Sequence, residues 1–291
     1  MKTHATTPSP PAPTPPSPGS ALRPVERWRQ GERCRLADHI AEEVPVAFVC
    51  NGQPFAVMMA TPADLEDFAL GFALSEGIVE AVAEIAIERI EPSLEGVEIR
   101  LTIPQARADA LERRRRGLGG RSGCGICGSE LLETALRQPA PVRADVRIQV
   151  AALRRALREL QPAQALNART GATHAAGWAA PDGSLRLLRE DIGRHNALDK
   201  LIGAMLRTGE DAGNGFLVVT SRASYEMAMK TASAGIALMA AVSAPTALAI
   251  SLAERANLTL IGFARQDGHA VYTHPQRLLP ERPDGAHPSG H

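Results

Sequence analysis

A chain of 291 residues can form one large domain or two modest ones, and its 44% apolar and 22% charged residues are ordinary for a globular protein. Its 32 basic and 32 acidic side chains cancel, which excludes a global field drawing in nucleic acid or an anionic membrane, so any anion site must be local. Four cysteines are too few for a disulfide scaffold and no apolar secretory segment follows the start, so the expected compartment is the reducing cytoplasm.

Residues 1–24 read as a disordered tail, because the first twenty contain seven prolines and almost no large apolar side chain. Folding should begin near Val25, and residues 25–106 should form an α+β part. VPVAFVCNGQPFAVMMA reads as a hairpin turning at Asn51-Gly52. A helix follows in TPADLEDFALGFALSEGI, with Thr61 as the expected N-cap, Pro62 in the first turn, and Asp64, Glu66 and Asp67 at the positive end of the dipole. IERIEPSLEGVEIRLTIP suggests two more strands. Six arginines against two acids in residues 105–123, followed by glycines, read as a mobile basic loop over 107–128 that carries a Cys-x-x-Cys pair. SELLETALRQ then reads as a helix with Ser129 at its N-cap.

The last third alternates strand and helix: FLVVTS, RASYEMAMKTASAG, IALMAAVSAP, TALAISLAERAN and LTLIGFAR. That order predicts βαβ units in a parallel sheet with continuously apolar strands. VYTH adds a candidate edge strand, and 278–291 a flexible tail. Residues 231–253 carry no charge, but Ala and Ser dominate them and Pro245 divides them, so we read a buried strand and a buried helix rather than a membrane span.

In such sheets ligands bind beyond the carboxyl ends of the strands. Those ends here are Thr220-Ser221-Arg222, Ser243-Ala244-Pro245-Thr246 and Phe263-Ala264-Arg265-Gln266-Asp267-Gly268. Their guanidinium and hydroxyl groups suit a phosphate- or nucleotide-bearing ligand, although ordinary surface turns would look the same. No G-x-x-x-x-G-K-[ST] or G-x-G-x-x-G fingerprint is present. A second polar cluster gathers Asp191, Arg194, His195, Asn196 and Asp199 at a helix start, either a site in which His195 handles protons or ligand, or a satisfied cap. His174 reads as a partly buried structural histidine.

Cys124 and Cys127 in GCGICG admit three chemistries. Structural zinc wants a second close pair, which Cys34 and Cys50 do not form, so no structural metal is expected. A zinc deaminase needs H-x-E, which is missing. A redox pair normally follows a strand, whereas this one follows arginines and glycines. Those glycines give reach, and the arginines favour the nucleophilic thiolate or an anionic persulfide.

From about Pro45 to Arg277 the chain resembles the FdhD family of formate dehydrogenase accessory sulfurtransferases. The motifs that carry the likeness are NGQPFAVMMATPADLEDFALGFALSEGI, GCGICG, TGATHAAGW, REDIGRHNALDKLIG, TSRASYEMAMKTA and IGFARQDGHAVYTHPQRL, in that order. The resemblance implies a cytidine deaminase-like core over 129–277 without that fold's zinc chemistry. It also implies a homodimer, and a sulfur carrier that takes a persulfide from a cysteine desulfurase. The sulfur would pass to the molybdenum cofactor, as bis(molybdopterin guanine dinucleotide), for formate dehydrogenase. By that likeness Cys124 is the persulfide cysteine and Phe263 to Gly268 the cofactor-binding turn, with Ser221, Arg222 and His195 as our further candidates. Cys127 would relay the sulfur or form a disulfide with Cys124, and Cys34 and Cys50 are expected to be bystanders. A non-enzymatic chaperone for the cofactor or the apo-dehydrogenase is the alternative.

Overall fold

A computed structural model describes residues 18–119 and 138–281. The chain enters strand at Ser20, five residues before the expected start. Strands β1 (Ser20–Arg29) and β2 (Glu32–Ala41) form an antiparallel hairpin about Gln30-Gly31, both at positive φ. Composition hid this hairpin because its strands bury little; its base is anchored, with Ser20 buried and Glu42 N–H donating to Gly19 O at 2.8 Å.

The predicted hairpin follows as β3 (Val44–Cys50) and β4 (Gln53–Ala60), turning at Asn51-Gly52 with φ of 48° and 76°. With β5 (Ala86–Pro92) and β6 (Val97–Thr102) they make a four-stranded sheet in the order β4-β3-β6-β5, in which β3 and β6 run parallel. Helix α1 (Leu65–Ser75) lies on this sheet through Phe68 and Phe72, whose ring centroids are 5.2 and 4.2 Å from that of Phe48. Thr61 does not cap this helix. Asp64 occupies the N-cap in a left-handed conformation without a side-chain bond, and Thr61 is fully buried elsewhere.

The basic segment is helical rather than a loop at its start, since α2 spans Gln105–Gly119. Ala, Leu, Glu and Arg are strong helix formers, and Arg107 fixes the first turn through Glu80 at 2.8 Å and Glu84 at 3.1 Å. Past residue 137 come β7 (Ile148–Gln149), α3 (Val150–Ala163), α4 (Ala165–Thr170), β8 (His174–Ala179), β9 (Leu185–Asp191) and α5 (Arg194–Thr208). The alternating third supplies β10 (Phe216–Val219), α6 (Tyr225–Ser233), β11 (Leu238–Ala241), α7 (Ala247–Arg255) and β12 (Thr259–Gly262), then β13 (Ala270–Val271). Leu278 and Leu279, assigned by sequence to a flexible tail, form β14 and pair with β7.

The larger sheet is mixed, in the order β13-β12-β11-β10-β8-β9. Only β10, β11 and β12 are parallel, and they are buried throughout. Strand β8 runs antiparallel to β10 because β8 and β9 are joined by a tight turn at Gly183, φ 85°, rather than by a crossover helix. Among the described residues, no helix is long and apolar enough to cross a membrane. The uncharged run at 231–253 is the end of α6, β11 and most of α7.

The two sheets meet through α1 and α5. A Cβ on Gly71 would lie 1.7 Å from the carbonyl oxygen of Asp199, and one on Gly203 1.8 Å from that of Asp67. The helices therefore touch backbone to backbone, a contact only glycine permits.

Candidate functional site

Because β10, β11 and β12 are parallel, the segments after them emerge at one edge of the sheet, and backbone bonds join all three. Val242 N–H donates to Val219 O at 3.0 Å, and Thr246 N–H to Ala223 O at 3.0 Å, beside a parallel bridge between Ala223 and Pro245. Phe263 and Ala264 N–H then donate to Ser243 O at 3.1 Å and Ala241 O at 2.9 Å. Gly262 makes the close approach possible, since a Cβ there would lie 2.7 Å from Pro245 Cδ. The candidate residues on different strand ends are thus brought into one continuous surface.

Within it, Ser221 is buried and its hydroxyl donates to Arg222 O at 3.0 Å, while the Arg222 side chain reaches solvent. Phe263 is held at φ 50° with its ring half exposed, and Ala264 beneath it is buried. A non-glycine residue at positive φ costs energy unless its surroundings over-determine it; here its own amide is fixed to Ser243 O and the next to Ala241 O. Arg265 and Gly268 close a tight turn, with Arg265 N–H donating to Gly268 O at 2.8 Å. Gln266 Nε2 donates to Arg154 O at 3.3 Å, and Arg265, Gln266 and Asp267 are exposed.

His195 is the second residue of α5 and reaches this edge through α6. Its Nε2 lies 2.9 Å from Glu226 and 3.5 Å from Ser224 Oγ, just beyond the Ser221–Arg222 segment. Burial holds the imidazole below the ordinary histidine range, Glu226 opposes that, and Arg194 and Lys230 reinforce it. His174 enters the same edge at the start of β8, and burial followed by the charge of Arg194 lowers its pKa as well.

The rest of the polar cluster proves to be the seam between the two sheets. Asp191 and Lys200 are fully buried and 2.7 Å apart. Asp191 also accepts from Thr61 N–H at 3.0 Å, Gly193 N–H at 2.8 Å and Asn196 Nδ2 at 3.0 Å. Lys200 donates to Thr61 O at 2.9 Å, and Thr61 Oγ1 accepts from Ile192 N–H at 3.2 Å. Asp199 meets Lys230 at 2.9 Å and Ser75 Oγ at 2.6 Å. Burial works against the Lys230 ammonium, but Asp199 and Glu76 beside it raise its pKa above the ordinary lysine value. A third node is Asp67, 1% exposed, which accepts from Arg189 at 2.7 Å and Arg207 at 2.8 Å.

Sequence reasoning missed Lys200, Lys230, Asp67 and Arg189 here. For the two lysines the available signal was a single lysine among mostly apolar neighbours on a helix, in NALDKLIGAM and EMAMKTA; Asp67 and Arg189 left none.

Cys124, Cys127 and the helix expected from Ser129 lie outside the described residues. Cys34 is exposed on β2, and Cys50 is buried at the end of β3, where burial pushes its thiol up to about 11. Among the described residues, no group of three or more His, Cys, Asp or Glu side chains is placed to hold a metal ion.

Residues 41–279 match the model of the FdhD/NarQ family. A sulfur carrier protein FdhD of Xanthomonas campestris pv. campestris (strain B100) is 59% identical over 265 residues, 91% of this chain and 94% of the relative. One bearing the same name from Cupriavidus necator is 54% identical over 257 residues, 88% of this chain and 89% of the relative. The solved structure of a protein assigned as a formate dehydrogenase accessory protein, from Desulfotalea psychrophila, superimposes with a TM-score of 0.70 at 26% identity. That likeness covers 90% of this chain and all of the other.

Proposed function

Since the chain belongs to the FdhD/NarQ family, we propose that it is a sulfur carrier in formate dehydrogenase maturation, working in the cytoplasm as a homodimer. In this reading the donor is a cysteine desulfurase and the acceptor the molybdenum cofactor, as bis(molybdopterin guanine dinucleotide), which is the substrate. Cys124 thiolate attacks the outer sulfur of the donor's persulfide; the donor thiolate leaves, and Cys124 carries the sulfur. Attack by Cys127 thiolate on the Cys124 sulfur then forms a disulfide and expels sulfide toward the cofactor. The two electrons that reduce the carried sulfur come from the cysteine pair, and a thiol reductant resets it.

The observation that carries this reading is the fusion of three strand ends into one surface bearing Phe263, Arg222 and Arg265. A rigid, half-exposed phenyl face suits stacking on a planar base, and exposed guanidinium groups suit phosphates. The backbone amides of Phe263, Ala264, Arg265 and Gly268 are already bonded within the fold, so the side chains carry the recognition in this reading. His195, tied to Glu226 and Ser224, borders the far side of the Ser221–Arg222 segment. The core is read as cytidine deaminase-like on the family resemblance alone.

The test is mass spectrometry after incubation with a desulfurase and cysteine, in a Cys34→Ala background because that thiol is exposed. One added sulfur per chain is expected, and none on Cys124→Ala; equal loading of Cys124→Ala overturns the carrier assignment. Dehydrogenase maturation by a Cys124→Ala/Cys127→Ala protein would instead identify a chaperone.

A further inference from the structure

Arg194 and His174 are not among the ligand candidates above and come from separate elements of the same edge. Strand β8 pairs antiparallel with β10, and Thr220 N–H donates to Ala175 O at 3.1 Å, so His174 stands beside the Ser221–Arg222 segment. Across β9 its partner is Asp191, two residues before α5 opens with Arg194. Arg194 is close enough to His174 and to His195 for its charge to act on both imidazoles.

Two observations point to an absent acceptor. The Nε of Arg194 is buried yet has no hydrogen-bond partner, and a buried donor left unpaired calls for one. Among the described residues, no carboxylate pairs with Arg194, and neither ring nitrogen of His174 is hydrogen-bonded. The neighbouring acids are committed elsewhere, Asp191 to Lys200 at 2.7 Å and Glu226 to His195 at 2.9 Å. The corner therefore keeps one uncompensated guanidinium beside one open imidazole.

We propose that Arg194 and His174 form a second oxyanion subsite, which takes a phosphate group of the ligand anchored at Phe263 to Gly268. Arg194 supplies the charge and two or more N–H donors, and His174 a further donor. The distance along the sheet explains why one nucleotide does not serve both places. From β12 to β8 there are three strand spacings of about 4.8 Å, or roughly 14 Å, and the Ser221–Arg222 segment lies between. A long ligand with more than one phosphate-bearing stretch fits both. This inference rests on the proposed ligand class, and it adds an anchor that the strand-end motifs do not contain.

Calorimetry on the full chain separates the inference from that reading. Wild-type protein is first saturated with GDP and then titrated with inorganic pyrophosphate. Pyrophosphate should still bind, at least tenfold more weakly to Arg194→Gln, a few-fold more weakly to His174→Gln, and with intermediate affinity to Arg194→Lys, which keeps the charge but not the forked donors. Thermal melts of all three variants report folding, and partial recovery in Arg194→Lys distinguishes a charge contact from a packing defect. Pyrophosphate binding that is absent in wild type, or unchanged in Arg194→Gln, overturns the subsite. Failure of GDP itself to bind wild type instead overturns the nucleotide reading, and pyrophosphate titration of the unliganded chain then still tests Arg194.

Discussion

The seam between α1 and α5 and the hairpin β1–β2 use the same residue types to opposite ends. Both are rich in arginine and acid. In the seam the three aspartates and both lysines are buried, doubly and triply bonded, and set around backbone contacts that tolerate no side chain. In the hairpin Arg27–Asp38, Arg33–Glu26 and Arg35–Glu26 all lie in solvent, and Trp28 is 66% exposed. Burial, not charge content, separates a structural network from decoration. Only the seam positions the candidate site, because Asp191 and Asn196 fix the backbone from which Arg194 and His195 project.

The strongest break in this contrast is Asp191→Ala. It leaves Lys200 charged, fully buried and short of its counter-ion, and the cost should be about 3–5 kcal/mol by urea unfolding. Adding Lys200→Met should restore much of the loss, since removing both charges removes the uncompensated one. A loss under about 1 kcal/mol would mean that water reaches the pair. Next in size is Gly203→Ala, whose new methyl would collide with Asp67 O. Backbone cannot yield as a side-chain tip can, so about 1–3 kcal/mol is expected, together with weaker ligand binding as α5 shifts.

A smaller effect distinguishes the two described cysteines. The folded-state pKa of Cys50 lies above its ordinary 9.0, at about 11. The folded state therefore holds the proton more tightly, and the stabilisation is complete below the unfolded value and lost as pH rises through the folded one. Between about pH 9 and 11 stability should fall by about 1–2 kcal/mol. That slope should become shallower in Cys50→Ala, where the raised lysine of the seam still contributes above its ordinary range, and be unchanged in Cys34→Ala, which stands exposed on the hairpin.

The same contrast explains what the sequence could disclose. Periodicity and turn chemistry revealed β3, β4, α1 and the β10-to-β12 alternation, because each buries a regular apolar stripe or turns on Asn51-Gly52. The convergence of the three strand ends on one edge followed from the parallel order. The β1–β2 hairpin escaped because strands that bury almost nothing leave no apolar pattern. Helix α2 escaped because glycines at its end masked strong helix formers. The seam escaped for a different reason: the bonds that join its two halves link residues more than a hundred positions apart, as Thr61 is from Asp191 and Asp67 from Arg189. Local spacing carries no trace of such pairing, so Asp191 and Asp199 read either as part of a site around His195 or as a satisfied helix cap.

The smallest expected effect is on the hairpin. A double-mutant cycle with Arg27→Ala and Asp38→Ala should return a coupling of about 0–1 kcal/mol despite the 2.6 Å contact, because the pair stays open to solvent, with side chains 48% and 32% exposed, and salt screens it. Two long strands standing alone are marginal in water, and this pair is held at its root by Gly19 packed against Thr61 at the edge of the seam. The cycle therefore reads the environment of the hairpin as well as the ion pair. A coupling well above 1 kcal/mol that survives 0.5 M salt would require the pair to be desolvated, and so would place a covering surface over a hairpin that is open in the monomer.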